Sequence, residues 1–316
     1  MTVMVIAGQA GALCAHLAPR LAGERLVAAE DAGAVDDALA HEPPEVVFAI
    51  RDARVGLAAY RRALGSRSLR YWHVGGSGYE WLGRWDGARV TVTNGLGVLA
   101  PYLADTALGA IIALNNGLVA YRDDQVARVW APRPFRPLEG QVLAIVGAGA
   151  IGQALAPRAK AVGMEVVGLT RAGRALEGFD RVAPLSALDG VLGEADVVSC
   201  HLRLVPETAG LFDAGRFAAI KPGALFLNSA RGGCVVEEAL LAALESGRLG
   251  GAWLDVFQTE PLPAESPLWA APGLFMTPHA SDQIEGWDLR FADHFAENLG
   301  RWRRGETLVN LVPAPD

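Results

Sequence analysis

The chain has 316 residues, 51% of them apolar, and a formal net charge of −7. A chain of this length buries a large core and accommodates two domains. The acidic balance, with Lys and Arg dispersed along the sequence, argues against a nucleic-acid surface and against a polybasic membrane anchor. No uncharged apolar run reaches the roughly 18 residues of a spanning helix, so no membrane partner is expected. The stretch Met1 to Gly8 reads as a first strand, lacking the basic start and the length of a signal peptide. Cys14, Cys200 and Cys234 are widely separated and show no zinc-ligand spacing. They suit free thiols in a reducing cytoplasm and offer no metal site.

In chain order, Val3 to Ala7, Val46 to Ile50, Tyr71 to Val74 and Val90 to Thr93 read as strands, with helices at Ala10 to Leu21 and Val55 to Leu64. That is a parallel α/β pattern. One long apolar helix is predicted from about Pro101 to Tyr121, followed by the proline-rich stretch Ala131 to Pro137, which can only be an extended connector. A second α/β series begins with the strand Gln141 to Val146 and a helix over Gln153 to Ala161, which Pro157 is expected to interrupt and bend. Strands follow at Glu165 to Leu169, Val197 to Cys200, Ala224 to Asn228, Gly251 to Val256 and Leu274 to Met276. An amphipathic helix spans about Asp288 to Trp302.

The second series opens on Gly147-Ala148-Gly149-Ala150-Ile151-Gly152, between a strand and a helix. In that context Gly147 permits a tight turn, Gly149 lets the backbone approach a pyrophosphate, and Gly152 lets helix and strand pack closely. At the end of the next strand, where an NAD site carries Asp or Glu for the ribose hydroxyl, the chain has Leu169-Thr170-Arg171-Ala172-Gly173-Arg174. Thr170 can hydrogen-bond a 2′-phosphate, and Arg171 and Arg174 can neutralise it, so NADP(H) is preferred over NAD(H).

Downstream lie Arg231 in Asn228-Ser229-Ala230-Arg231-Gly232-Gly233, Glu260 in Leu254-Asp255-Val256-Phe257-Gln258-Thr259-Glu260-Pro261, and His279 in Thr277-Pro278-His279-Ala280-Ser281. Reducing a 2-keto acid needs hydride at the carbonyl carbon, a proton at its oxygen and a fixed carboxylate. Arg231 supplies a planar fork for the carboxylate and keto oxygen. His279 can exchange a proton near neutral pH, and Glu260 would orient its ring and favour its charged form. His16, His41 and His294 have no motif around them, and the role of His73 is open. Arg51 and Arg54 follow a strand and could attract an anion or merely be solvated.

These motifs resemble the D-isomer-specific 2-hydroxyacid dehydrogenases, and within them the glyoxylate/hydroxypyruvate reductase branch, over about Tyr71 to Leu311. The resemblance implies two doubly wound parallel-sheet domains of Rossmann or flavodoxin-like type. A nucleotide-binding domain (99–287) would be inserted in a substrate domain (1–98 with 288–316), with catalysis in the cleft. It implies that Gly76, Ser77 and Gly78, in the turn after Val74, anchor substrate with Arg231 and His279. Cofactor contacts are expected from the glycine turn, Thr170, Arg171, Arg174, Leu202, Arg203, Pro206, Thr208, Ala230, Arg231, Asp255, His279 and Ser281. The long helix after Pro101 resembles the family's dimerisation element, so a homodimer is expected. Arg203 and Val205 replace a commoner proline and threonine, and Gly78-Tyr79-Glu80 a commoner Gly-Val-Asp. Phosphite or formate oxidation, and a nucleotide-sensing corepressor-like module, remain alternatives.

Overall fold

The computed structural model describes residues 1–315. Asp316, the last residue of the expected split domain, lies outside the described residues. The chain divides into two compact units, Met1–Leu99 with Glu285–Asp316, and Ala100–Ile284.

In the first unit, β1 (Thr2–Ile6), α1 (Ala10–Leu17), β2 (Arg25–Ala29), α2 (Ala32–His41), β3 (Val46–Ala49), α3 (Leu57–Leu64), β4 (Tyr71–Val74) and β5 (Thr91–Asn94) alternate along the chain. In the second come α4 (Ala100–Asn115), α5 (Leu118–Ala127), β6 (Val142–Val146), α6 (Ala150–Ala161), β7 (Glu165–Thr170), β8 (Arg181–Pro184) and α7 (Leu188–Glu194). It continues with β9 (Val197–Cys200), α8 (Ala214–Ala219), β10 (Ala224–Asn228), α9 (Glu237–Glu245), β11 (Leu249–Leu254) and β12 (Leu274–Met276). The chain then returns to the first unit through α10 (Trp287–Arg303) and β13 (Leu311–Val312).

The first sheet has the order β13-β5-β4-β3-β1-β2 and is parallel except for β13, which runs antiparallel to β5. All of β3 and β4 is buried, because each face carries helices and both sides of the strand must be apolar. One face packs Met4, Ile6, Tyr60 and Trp72; the other packs Val5, Leu13 and Phe48 against Phe291, Phe295 and Leu299 of α10. The Phe48 and Phe295 rings stack at 4.9 Å. Burial of each such side chain contributes roughly 1.5–3 kcal/mol, which is how a helix so late in sequence is recruited to the first sheet.

The second sheet, β12-β11-β10-β9-β6-β7-β8, is parallel throughout. Its strand order reverses direction at β6, between β9 and β7, the point where such sheets open a crevice at their carboxyl ends. Phe212, Phe217 and Phe226 pack on one face, and Trp253, Ile145 and Ile111 on the other.

Two expectations are corrected, and one pair of elements is added. The helix predicted from Pro101 to Tyr121 is two helices, α4 and α5, bent by 59°. Gly117, at φ 68°, takes the left-handed conformation between them. Pro157 does not interrupt α6, which continues to Ala161; only the bond to the Gln153 carbonyl is lost, near the helix end. The pair β2 and α2 was not anticipated, since Arg25 to Ala29 shows no strong alternation; α2 starts where the Asp31 carboxylate accepts from the Ala34 N–H at 2.9 Å. Among the described residues, no single helix is long and apolar enough to cross a membrane.

Candidate active site

β6 delivers the chain into the glycine turn. Gly147 has φ 100°, and a Cβ there would lie 2.8 Å from the His201 carbonyl carbon and oxygen, so no other residue fits. At Gly152 a Cβ would meet Ile145 at 2.7 Å, which explains how α6 lies so close to β6. A Cβ at Gly149 would find nothing within 4 Å. The first turn of α6, Ala150 to Gly152, therefore begins beside open space, as an approaching pyrophosphate requires.

At the end of β7 the Thr170 hydroxyl accepts from the Gly173 N–H at 2.9 Å and closes a short turn. Arg171 and Arg174, on that turn, are exposed. Both guanidinium groups are left without a carboxylate among the described residues.

Arg231, Glu260 and His279, far apart in sequence, line one cavity of about 570 Å³ together with Leu204, Phe257 and Gln258. His279 Nδ1 lies 2.7 Å from Glu260 Oε2, and the Phe257 N–H donates to Glu260 Oε1 at 2.9 Å. Partial burial would raise the Glu260 carboxyl. The hydrogen bonds from His279 and Phe257 outweigh it and hold the group below the usual carboxylate range. Arg231 Nη1 donates to the Ala230 carbonyl at 2.6 Å, and no carboxylate pairs with its exposed guanidinium among the described residues.

The loops bearing these groups are interlocked. A Cβ on Gly232 would sit 2.0 Å from the Phe257 carbonyl, so the Arg231 loop touches the backbone of the Glu260 loop. Gln258 adds two clamps, its Nε2 donating to the Val235 carbonyl at 2.6 Å and its N–H to Glu237 at 2.7 Å. Neither Gln258 nor the Phe257 N–H was singled out from sequence; the only signal was their position inside the segment that carries Glu260.

Asp255 and Ser281, both expected to face a cofactor, are bonded to each other. The fully buried Asp255 carboxylate accepts from the Thr277 hydroxyl at 2.6 Å, the Ala280 N–H at 2.9 Å, and both the N–H and hydroxyl of Ser281. Its carbonyl accepts from the His279 N–H at 2.8 Å. These bonds tie the carboxylate to the 277–281 loop. His279 itself is held at φ 49°, a left-handed conformation uncommon for a residue with a Cβ.

The loop after β9 carries Leu202, Arg203 and Pro206, the last two exposed. Thr208 is buried, and its hydroxyl accepts from the Val205 N–H and donates to the Arg203 carbonyl at 2.6 Å, which folds this loop back on itself. Ala230 is buried beside Arg231. His201 has Nε2 at 2.9 Å from the Ser199 hydroxyl, and burial pushes its pKa down to about 4. It stays neutral there.

In the first unit, Gly76, Ser77 and Gly78 form a turn after β4, where Asn94 Nδ2 donates to the Ser77 carbonyl at 2.8 Å. Arg54 is committed to Asp52 through two bonds, at 3.1 and 3.0 Å, whereas Arg51 is exposed. His73 is a core residue: it is fully buried, with Nδ1 2.7 Å from the Thr93 hydroxyl. Burial, then the neighbouring His294, hold it well below the usual histidine range. His16 pairs with Asp293 at 2.6 Å and His41 with Asp37 at 3.1 Å. No group of three or more His, Cys, Asp or Glu among the described residues could hold a metal ion.

Residues 108–281 match the model of the D-isomer specific 2-hydroxyacid dehydrogenase NAD binding domain. The chain is 40% identical to glyoxylate/hydroxypyruvate reductase B of Escherichia fergusonii, over 68% of each sequence. Among solved structures it is similar to a D-isomer specific 2-hydroxyacid dehydrogenase family protein from Aeromonas salmonicida, with TM-score 0.82, 33% identity, and 99% of this chain and 98% of that one covered. It is also similar to an NADPH-dependent glyoxylate/hydroxypyruvate reductase from Sinorhizobium meliloti in complex with NADP and sulfate, with TM-score 0.78, 26% identity and 98% of each chain covered. The chain belongs to the D-isomer specific 2-hydroxyacid dehydrogenase family.

Proposed function

We propose that this protein reduces a small 2-keto acid of the glyoxylate or hydroxypyruvate class to the D-2-hydroxy acid, using NADP(H) in preference to NAD(H). The observation that carries the reading is the His279 to Glu260 hydrogen bond of 2.7 Å, in a cavity shared with the Arg231 guanidinium, which has no carboxylate partner among the described residues. Arg231 grips the carboxylate and polarises the keto oxygen, a task for its planar fork. His279, as imidazolium, gives that oxygen its proton; Glu260 stabilises the charged ring and fixes its orientation. The bound nicotinamide supplies the hydride to the carbonyl carbon. Gly76, Ser77 and Gly78 anchor the substrate through backbone N–H groups.

Gly147, Gly149, Ala150, Ile151 and Gly152 would hold the pyrophosphate, and Thr170, Arg171 and Arg174 the 2′-phosphate. Leu202, Arg203, Pro206, Ala230 and Arg231 would border the nicotinamide half. In this reading residues 1–98 with 288–316 are the substrate domain and 99–287 the nucleotide domain. NADP in the Sinorhizobium meliloti reductase supports the cofactor assignment. The protein works as a homodimer in the cytoplasm. The dimer face is α5 and the segment after it: α5 has no buried residue, and Leu118, Val126, Val129, Trp130 and Phe135 are exposed.

The test follows NADPH oxidation by the purified protein with glyoxylate, hydroxypyruvate, pyruvate, phosphite and formate as separate substrates. Saturable turnover of the first two, and a D-configured product, are expected. No turnover of any 2-keto acid would overturn the reading.

A further inference from the structure

Trp253, one residue before the end of β11, is fully buried in the core that also holds Ile111, Leu143 and Leu227. Side chains alternate along a strand, so Trp253 and Asp255 leave it on the same face. Both meet Thr277, the residue that follows β12. Trp253 Nε1 donates to the Thr277 hydroxyl at 3.0 Å, and that hydroxyl donates to Asp255 Oδ1 at 2.6 Å. An indole N–H only donates, and a hydroxyl has a single proton. The Thr277 oxygen therefore accepts from Trp253, and its proton is left for Asp255. The direction of this relay is set from its buried end.

The other end of the relay holds His279. Asp255 Oδ1 also accepts from the Ala280 N–H at 2.9 Å, and Oδ2 from the Ser281 N–H at 3.2 Å. The His279 N–H meets two carbonyls of the relay, that of Asp255 at 2.8 Å and that of Thr277 at 3.0 Å. His279 is thereby kept at φ 49°, a backbone state that persists only where its surroundings enforce it. From that backbone its ring reaches Glu260 at 2.7 Å.

We propose that Trp253 and Thr277 are positioning residues for His279: the indole N–H directs the Thr277 proton onto Asp255, and Asp255 fixes the loop that sets the ring against Glu260. The catalytic consequence rests on the keto-acid reading above. Every member of the relay belongs to the second unit. Phenylalanine in place of Trp253 would keep most of the buried apolar surface and remove only the donor, so packing and direction can be separated.

The experiment measures kcat, KM and the pH profile of kcat/KM for glyoxylate with NADPH in wild type, Trp253→Phe, Thr277→Val, Thr277→Ser and the Trp253→Phe/Thr277→Val double variant. Urea unfolding is followed for each. Trp253→Phe and Thr277→Val should each lower kcat about tenfold and leave KM and the Kd for NADPH within threefold. Both should move the alkaline limb to lower pH, because a looser loop holds the ring less firmly against Glu260. Thr277→Ser restores the hydroxyl and should stay within threefold of wild type. The double variant should be no slower than Thr277→Val, since the indole acts only through that hydroxyl. Losses that multiply in the double variant overturn the relay. A change confined to unfolding, with kcat and pH profile as in wild type, also overturns it and makes Trp253 a packing residue only. Should Trp253→Phe fail to fold, equal rates in Thr277→Val and Thr277→Ser overturn the relay. Titration of the His279 ring by NMR, without substrate, should show the same shift to lower pH in Thr277→Val, and an unmoved ring counts against the relay. That shift in a protein whose wild type reduces no 2-keto acid would sink the reduction reading and leave the relay standing.

Discussion

The carboxylate of Glu260 is shared between two donors, His279 Nδ1 at 2.7 Å and the Phe257 N–H at 2.9 Å. The glutamate cannot follow the ring if the ring moves, so it acts as a fixed counter-charge. Its carboxyl lies below the usual range, which keeps the pair charged on the glutamate side throughout the neutral region. In the proposed mechanism the proton comes from the His279 imidazolium, so the rate should fall on the alkaline side. In Glu260→Gln a neutral amide supports the imidazolium less, and this alkaline limb should move to lower pH, with at least about a tenfold loss of kcat at mildly alkaline pH. A pH profile of kcat/KM that superimposes on wild type would separate Glu260 from proton transfer.

Arg231→Lys keeps the charge but loses the fork. We expect kcat/KM for glyoxylate to fall at least about a hundredfold, with Kd for NADPH nearly intact, because gripping carboxylate and keto oxygen together is a transition-state interaction. Wild-type turnover in the lysine variant would remove Arg231 from this role.

Asp255→Asn places an amide among the groups that donate to the Asp255 carboxylate, namely Thr277, Ala280 and Ser281. The loop should relax and His279 leave its left-handed conformation, so kcat drops steeply while NADPH affinity changes less than about threefold. Ser281→Ala, which removes one of the donors, should cost far less. Equal losses in kcat and nucleotide affinity for Asp255→Asn would instead make it a direct cofactor contact. Stopped-flow and equilibrium titration on the same preparation distinguish the two.

Arg171→Ala with Arg174→Ala should weaken NADPH at least about tenfold and leave NADH almost unchanged, since NADH has no 2′-phosphate for either guanidinium. Dissociation constants at one ionic strength decide the matter, because exposed charge pairs are screened by salt. Parallel weakening of both nucleotides would place these arginines elsewhere.

Acid stability should carry the signature of two histidines, the buried His73 and the half-buried His201. Burial holds His73 well below the ordinary range and takes His201 down to about 4, so between there and about pH 6.5 the unfolded chain binds protons that the folded chain does not. The linked stability is complete above about pH 6.5 and is lost as pH falls, at up to about 1.4 kcal/mol per pH unit for each group. Urea unfolding at pH 7, 6 and 5 should give a declining free energy, with a shallower slope in His73→Asn and in His201→Asn. A slope untouched by either substitution would assign the acid sensitivity to other groups.

Much of the second unit was legible because its signals are local. A strand leading into Gly147-Ala148-Gly149-Ala150-Ile151-Gly152 and then a helix is dictated by backbone sterics over ten residues, and the structure has β6, the turn and α6 there. The strands Val197–Cys200, Ala224–Asn228 and Leu274–Met276 follow from short, largely apolar runs, which suit a sheet covered on both faces. The roles proposed for Arg231, Glu260 and His279 rest on residue type. That they line one cavity could not be read there, because it depends on packing between segments with no sequence relationship.

Tertiary contacts decided the remainder. That the Asp255 carboxylate closes the 277–281 loop could not be read from its own segment, and His279 shows no sign of a left-handed backbone in its neighbours. Arg51 and Arg54 are equivalent as letters; only Asp52 engages one of them and leaves the other exposed. His73 is a plausible site residue by position and a core residue by burial, because β5 and α10 cover it from segments about 20 and 220 residues away. Local sterics read from sequence name the turns and the reactive groups; which polar atoms are already satisfied, and so which remain free for chemistry, is settled only by long-range packing.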